Sequence, residues 1–259
     1  MNFRSIFFAI FGVAISLNVR AGELNDCQIS MLGTPPKYVN QARFFLEVSG
    51  ELKNGTENTY QHDDPILNSN IRIVRTLPAI TPNSDVILKS SFPLVAGYSF
   101  AKGAPLRIFN EAIFSDGRKF GVIEGRGPMH IFFNENIELC NKAYLFKGAT
   151  TSTSLGTFSQ MPDDAHFERS TQDDVVKSGS LRLIYLGTTA GALRIAEVWV
   201  QGSKITRSIT RTFDQFAKTI DVAGFKFEIV EAKGESLRLR YEIPSRTEIN
   251  PRVAADTPL

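Results

Sequence analysis

The chain has 259 residues, 29 of them basic and 27 acidic, for a formal charge of +2. That near-balance excludes the strongly basic surface of a bulk nucleic-acid binder. Three histidines and two cysteines leave little material for a metal site, and neither a metal nor a cofactor is implied.

The first 21 residues read as an export signal. Arg4 gives a positive start, Ile6 to Leu17 is apolar, and Val19-Arg20-Ala21 places small residues where a signal peptidase cuts. The apolar run is too short to span a bilayer comfortably, and no other stretch predicts a transmembrane segment in the mature chain. Without Arg4 and Arg20, 27 basic residues face 27 acidic ones, so the slight basicity belongs to the signal. The sequence therefore predicts a periplasmic or secreted protein. In an oxidising compartment Cys27 and Cys140 predict one disulfide. The rival reading, lipid attachment at Cys27, has Leu24 in its favour. Against it stand Asp26 and the distance from the apolar run.

From residue 22 to 149 the pattern is that of short strands and turns. The run 22–37, with Gly33 and Pro35-Pro36, is loop-like, and Ala42 to Val48 is the first strand. Gly50 to Asn70 is polar and predicts an exposed loop or long hairpin. Ile71 to Leu77, Val86 to Lys89, Phe92 to Phe100, Leu106 to Asn110, Phe120 to Glu124, Met129 to Phe133 and Ile137 to Phe146 follow as strands. Ser115-Asp116-Gly117-Arg118 and Gly125-Arg126-Gly127-Pro128 are turns between them. Strands at this spacing predict an antiparallel sandwich or small barrel. The segment 150–179 is rich in Ser, Thr and Asp and predicts a linker or long crossover.

Residues 180–244 predict a C-terminal β-meander. Leu181, Leu183 and Tyr185 alternate with polar neighbours, Gly187 to Gly191 turns the chain, and Leu193 to Val200 returns it. Ile205 to Phe213 mixes a spacing of four with β-favouring threonines; it is assigned as a strand passing into a turn at Asp214 to Lys218. Phe225, Phe227 and Ile229, then Leu237, Leu239, Tyr241 and Ile243, alternate around the hairpin loop Ala232 to Glu235. The tail 245–259 has no pattern and predicts disorder.

The succession LIYLG, TTAGALRI, Glu197 and GFKFEIVEAKGESLRLRY resembles the C-terminal end of a group of exported bacterial envelope proteins. The resemblance covers only this stretch and consists of turn and strand residues. It implies a cell-envelope β module and no activity.

Chemistry-bearing clusters are few. His62-Asp63-Asp64 and Asp163-Asp164-Ala165-His166 join imidazole to carboxylate, yet adjacent strand residues point apart and neither has a ligand-spaced partner; only their meeting in space would form a two-histidine site. Gly97-Tyr98-Ser99-Phe100-Ala101 approximates a hydrolase nucleophile elbow, but Gly103 and Pro105 forbid the helix it needs. Gly125-Arg126-Gly127 has no helix after it to complete a phosphate loop. On the wet face of the meander Arg182, Arg194, Arg238 and Arg240, with Lys226, outnumber Glu228 and Glu242. Guanidinium groups on one face form a possible anion-binding site for an anionic glycan or another envelope protein. The competing reading is a solvated face that resists edge aggregation. Trp199 reads as a core aromatic, with a sugar platform as its rival because it shares a face with Glu197. Together these features predict an exported, non-enzymatic binding or assembly module of the cell envelope. A secreted hydrolase of cell-wall or polysaccharide material is the alternative, and a pocket holding two spaced carboxyl groups would favour it.

Overall fold

The computed structural model describes residues 24, 27, 36–88, 98–124, 129–147, 151–157 and 165–259. Residues 1–21, Gly97, the turn at 125–128 and Asp163-Asp164 lie outside that description. The fold is mostly β and antiparallel throughout.

The strands, in order, begin with β1 (Lys37–Asn40), β2 (Arg43–Ser49), β3 (Glu57–Gln61) and the long β4 (Pro65–Pro82). Next come β5 (Val86–Leu88), β6 (Tyr98–Phe100), β7 (Leu106–Ile113), β8 (Lys119–Glu124) and β9 (Met129–Phe133). They are followed by β10 (Leu139–Lys147), β11 (Thr151–Thr157) and β12 (Phe167–Thr189). The C-terminal part holds β13 (Ala192–Gln201), β14 (Lys204–Asp214), β15 (Thr219–Val222), β16 (Phe225–Lys233) and β17 (Ser236–Tyr241). The last elements are β18 (Arg246–Ile249) and the short helix α1 (Pro251–Asp256).

The large sheet has the order β11-β10-β9-β8-β7-β4-β12-β13-β14. β4 and β12 are its spine, paired from Pro65–Ile184 to Pro82–Phe167, a ladder about 55 Å long at ordinary strand rise. On its other edge β4 meets β2 over Asn70–Thr76 and then β7 at Ala79 and Ile80. A second sheet, β15-β16-β17-β3, covers one end of the large one. Their facing sides interlock: Leu181, Leu183, Leu193 and Ile195 from the large sheet pack with Phe225, Phe227, Leu237 and Leu239 from the small one. Each such side chain contributes roughly 1.5–3 kcal/mol by leaving water. At the other end Phe100, Phe133 and Phe167 lie in one cluster, while Phe114, Phe120 and Phe132 surround the disulfide in another.

Cys27 and Cys140 are bonded, with Cα atoms 5.4 Å apart and both residues buried. No thiol is left at Cys27 for lipid attachment.

Four expectations change. The segment 150–179, predicted as a linker or long crossover, contains β11 and the first half of β12, so its described residues are mostly sheet. Its polar composition reflects position, because residues 168–178 are exposed or half-buried along the spine. The stretch 50–70, predicted as an exposed loop or long hairpin, supplies β3, which pairs with β17 as the fourth strand of the small sheet, and the start of β4. The meander is divided: β12, β13 and β14 belong to the large sheet, and β15, β16 and β17 to the small one. The tail is ordered. β18 pairs with β2, and Asn250 caps α1 by accepting from Arg252 N at 2.9 Å, with Pro251 opening the helix.

Side chains explain why a patternless tail docks. Arg246 binds Glu47 at 3.0 Å and Asp173 at 2.8 Å, and its guanidinium lies 4.3 Å from the centre of the Phe45 ring. Arg43 pairs with Glu248 and also lies over Phe45. The Asp173 carboxyl is held below its ordinary range by hydrogen bonds from Arg246 and Thr76. Lys177 Nζ donates to the carbonyls of Ala255 and Thr257, the last turn of α1 and its cap.

Candidate functional site

The chain changes sheets at the turn Gln215 to Lys218. Asp214 organises this turn: its Oδ1 accepts from Phe216 N at 2.9 Å and its carbonyl accepts from Ala217 N at 3.1 Å. Gln215 N donates to Gly191 O, and Lys218 O accepts from Ile229 N. Ala217 tucks against the core, which turns Phe216 outward with 79% of its surface exposed.

Beside this turn a groove of about 1090 Å³ runs over the outer face of the small sheet. It crosses the strands, taking Glu57 from β3, Arg240 from β17 and Lys226 and Glu228 from β16, with Phe216 and Lys218 at its end. Alternation places these charged groups outward because Phe225, Phe227, Leu237 and Leu239 point into the core. Arg240 stands between two carboxylates, 2.5 Å from Glu57 Oε1 and 3.4 Å from Glu228 Oε2. Arg238 is more loosely placed, 3.8 Å from Glu57 and 3.5 Å from Glu231.

The four arginines of the predicted anion face therefore do not share a face. Arg182 and Arg194 lie on the outer side of the large sheet, and Arg238 and Arg240 on the outer side of the small one. With the core between the two sheets, the pairs look in opposite directions. The sheet change at Gln215–Lys218 separates them. Arg238 and Arg240 are moreover occupied by carboxylates, whereas Arg182 and Arg194 make no ion pair among the described residues.

Trp199 is buried, and its Nε1 donates to Glu197 Oε1 at 2.7 Å. Glu197 is itself buried, its second oxygen accepting from Arg211 Nε at 2.9 Å. This carboxylate is fully engaged in fixing β13 to β14, as buried charges require. The sugar-platform reading of Trp199 is overturned.

The histidines stand at opposite ends of β12. His62 is 3.1 Å from Asp63 beside Gly187, and His166 is next to Phe167 with Glu168 at 3.5 Å. They do not meet. Among the described residues no three His, Cys, Asp or Glu side chains converge as metal ligands. Ser99 is an exposed residue in the middle of β6, paired with Ile87, and not on a strained turn.

A second groove of about 750 Å³ lies where β7, β8 and the β9–β10 turn meet the spine, lined by Glu111, Lys119 and Arg169. Arg169 is used structurally there, donating to Glu135 O at 2.6 Å.

Phe216, Lys218 and Glu57 did not stand out in the sequence. Phe216 lies in a short Asp-Gln-Phe-Ala-Lys turn, where no alternation distinguishes an outward aromatic from an inward one. Comparison with family models, curated proteins and solved structures finds no match to this chain.

Proposed function

We propose that this chain is an exported cell-envelope protein, periplasmic or secreted, acting as a binding or assembly module without catalysis. One observation carries the non-enzymatic reading: in the groove of the small sheet, Glu57 and Glu228 are bridged by the guanidinium of Arg240. A glycosidase needs one carboxyl group free to donate a proton and another facing a water or the sugar. Here the cation occupies the space between the two acids. Export is supported by the Cys27–Cys140 bridge and by the signal-like first 21 residues.

The test is fractionation of cells producing the full chain, with N-terminal sequencing and thiol alkylation under non-reducing conditions. The expected product starts at Gly22, leaves with the envelope or medium, and takes up no alkylating agent until reduced. A cytosolic full-length product with two reactive thiols would sink the proposal. Hydrolysis of a cell-wall polymer, lost on Glu57→Gln or Glu228→Gln, would replace it with the hydrolase reading.

A further inference from the structure

We infer that the groove beneath Phe216 binds a neutral polysaccharide segment, one sugar ring lying on the phenyl face and its hydroxyls bonding to Lys218, Lys226 and Glu228. This rests on the binding-module reading and names its ligand class.

Phe216 leaves 79% of its surface in water. An aromatic ring of this size is a large apolar surface that folding has not used. The turn beneath it is not loose: Asp214 Oδ1, Asp214 O and Gly191 O each accept a backbone N–H from it, and Ala217 is set against the core. The ring is therefore presented before a ligand arrives, which reduces the ordering cost of binding.

Charge decides what can lie next to it. The groove is lined by the cations Lys218, Lys226 and Arg240 and by the acids Glu57, Glu228, Glu231 and Glu242. The signs nearly balance, so neither an anionic nor a cationic ligand is attracted by the field as a whole. A wholly apolar ligand would dehydrate these charged groups without replacing their hydrogen bonds. Lys218 and Lys226 make no ion pair among the described residues, and each ammonium has three donors. Glu228 retains acceptor sites beyond its long contact with Arg240. The complementary ligand offers acceptors and donors in alternation together with one C–H face, which describes a neutral sugar ring. An extended peptide recognised by strand addition would need a main-chain edge running along it. This groove instead crosses three strands and presents side chains from β3, β17 and β16.

Titration calorimetry of the mature protein with a neutral β-1,4-glucan hexaose and a chitin hexaose tests the inference, with an oligouronate and an unstructured peptide as comparators. At least one neutral hexaose should bind with little dependence on salt. Phe216→Ala should weaken it about tenfold, the scale of one lost aromatic contact, while Phe216→Tyr should retain it. Lys226→Ala should weaken it several-fold. The melting temperature of each variant should match wild type, because these side chains are exposed. Failure of both neutral hexaoses to bind, or full affinity in Phe216→Ala, overturns the inference. Preference for the oligouronate that fades with salt, or for the peptide, overturns it too. None of these results touches export or the bridge, so the glycan assignment can fail while the module reading stands.

Discussion

The two ends of the molecule solve the same burial problem differently. At the C-terminal end two sheets face one another, and Leu181, Leu183, Leu237 and Leu239 are completely enclosed between them. At the N-terminal end the strands β7 to β10 continue one sheet, and the buried side chains divide into two smaller clusters. There both faces of the sheet are buried: the two-stranded sheet β5-β6 packs against one face with Ile123, Ile131 and Phe133, and on the other Cys140 of β10 joins Cys27, surrounded by Phe114, Phe120 and Phe132. The larger sandwich gains its stability from apolar area, whereas the small clusters at the other end are supplemented by a crosslink that restricts the unfolded chain.

Breaking that crosslink should have the largest effect. Replacing Cys27 and Cys140 together by serine should cost about 4–5 kcal/mol, as the closed loop spans 113 residues. Denaturant melts followed by hydrogen exchange should show β8 to β10 losing protection before β16 and β17. Simultaneous loss at both ends would mean that the spine makes them one cooperative unit.

A substitution at the seam sharpens the comparison from the other side. A methyl group added at Gly179 would overlap the Val200 carbonyl oxygen and the Leu259 side chain, so Gly179→Ala should cost about 1–3 kcal/mol. Its effect should appear in thermal melts as a destabilised sandwich with the bridge still intact. An unchanged melting temperature would show that Leu259 and the Val200 carbonyl can both move aside.

The smallest effect concerns the docked tail. Asp173 and Glu248 both have pKa values lowered by their hydrogen bonds, to Arg246 and Thr76 in one case and to Arg43 in the other. A group lowered in the folded state stabilises above its unfolded value, near 4 for these carboxyls, and loses that contribution as pH falls through its folded value. Amide exchange in β18 should therefore accelerate several-fold relative to β17 as pH is lowered below about 4. Arg246→Gln should produce a similar loosening at neutral pH and remove the Asp173 part of the pH response, leaving the part carried by Glu248 and Arg43. Because these pairs are exposed, the sandwich itself should be barely affected.

The sequence disclosed the sandwich better than the spine, for a physical reason. Leu237-Arg238-Leu239-Arg240-Tyr241 has one buried and one wet face, and such alternation is visible in the residues themselves. Gln172 to Lys177 has no buried residue, so its partner is chosen by main-chain pairing and by contacts such as Arg75–Asp174 at 2.9 Å. Neither leaves a periodic trace. The tail was opaque for the same reason, since Arg246 finds Glu47 and Asp173 at long range. The disulfide was legible because two cysteines admit one pairing. The groove was legible only in part: alternation marks Lys226, Glu228, Arg240 and Glu242 as outward-facing. The change of sheets at Gln215–Lys218, which sends Arg182 and Arg194 to the opposite side, had no signature in spacing.

The β4–β12 spine also sets the order in which the chain can acquire its structure. Arg75 and Asp174 face each other across the ladder although 99 positions separate them. Closing so long a loop costs entropy before any contact is made, and folds dominated by such pairings form slowly, on the order of milliseconds to seconds. Cys27 and Cys140 both precede β12, so the bridge encloses β4 but not the strand that completes it. An oxidant can therefore close the covalent loop while one edge of β4 is still open. The arrival of β12 along that edge then joins the two ends into a single molecule.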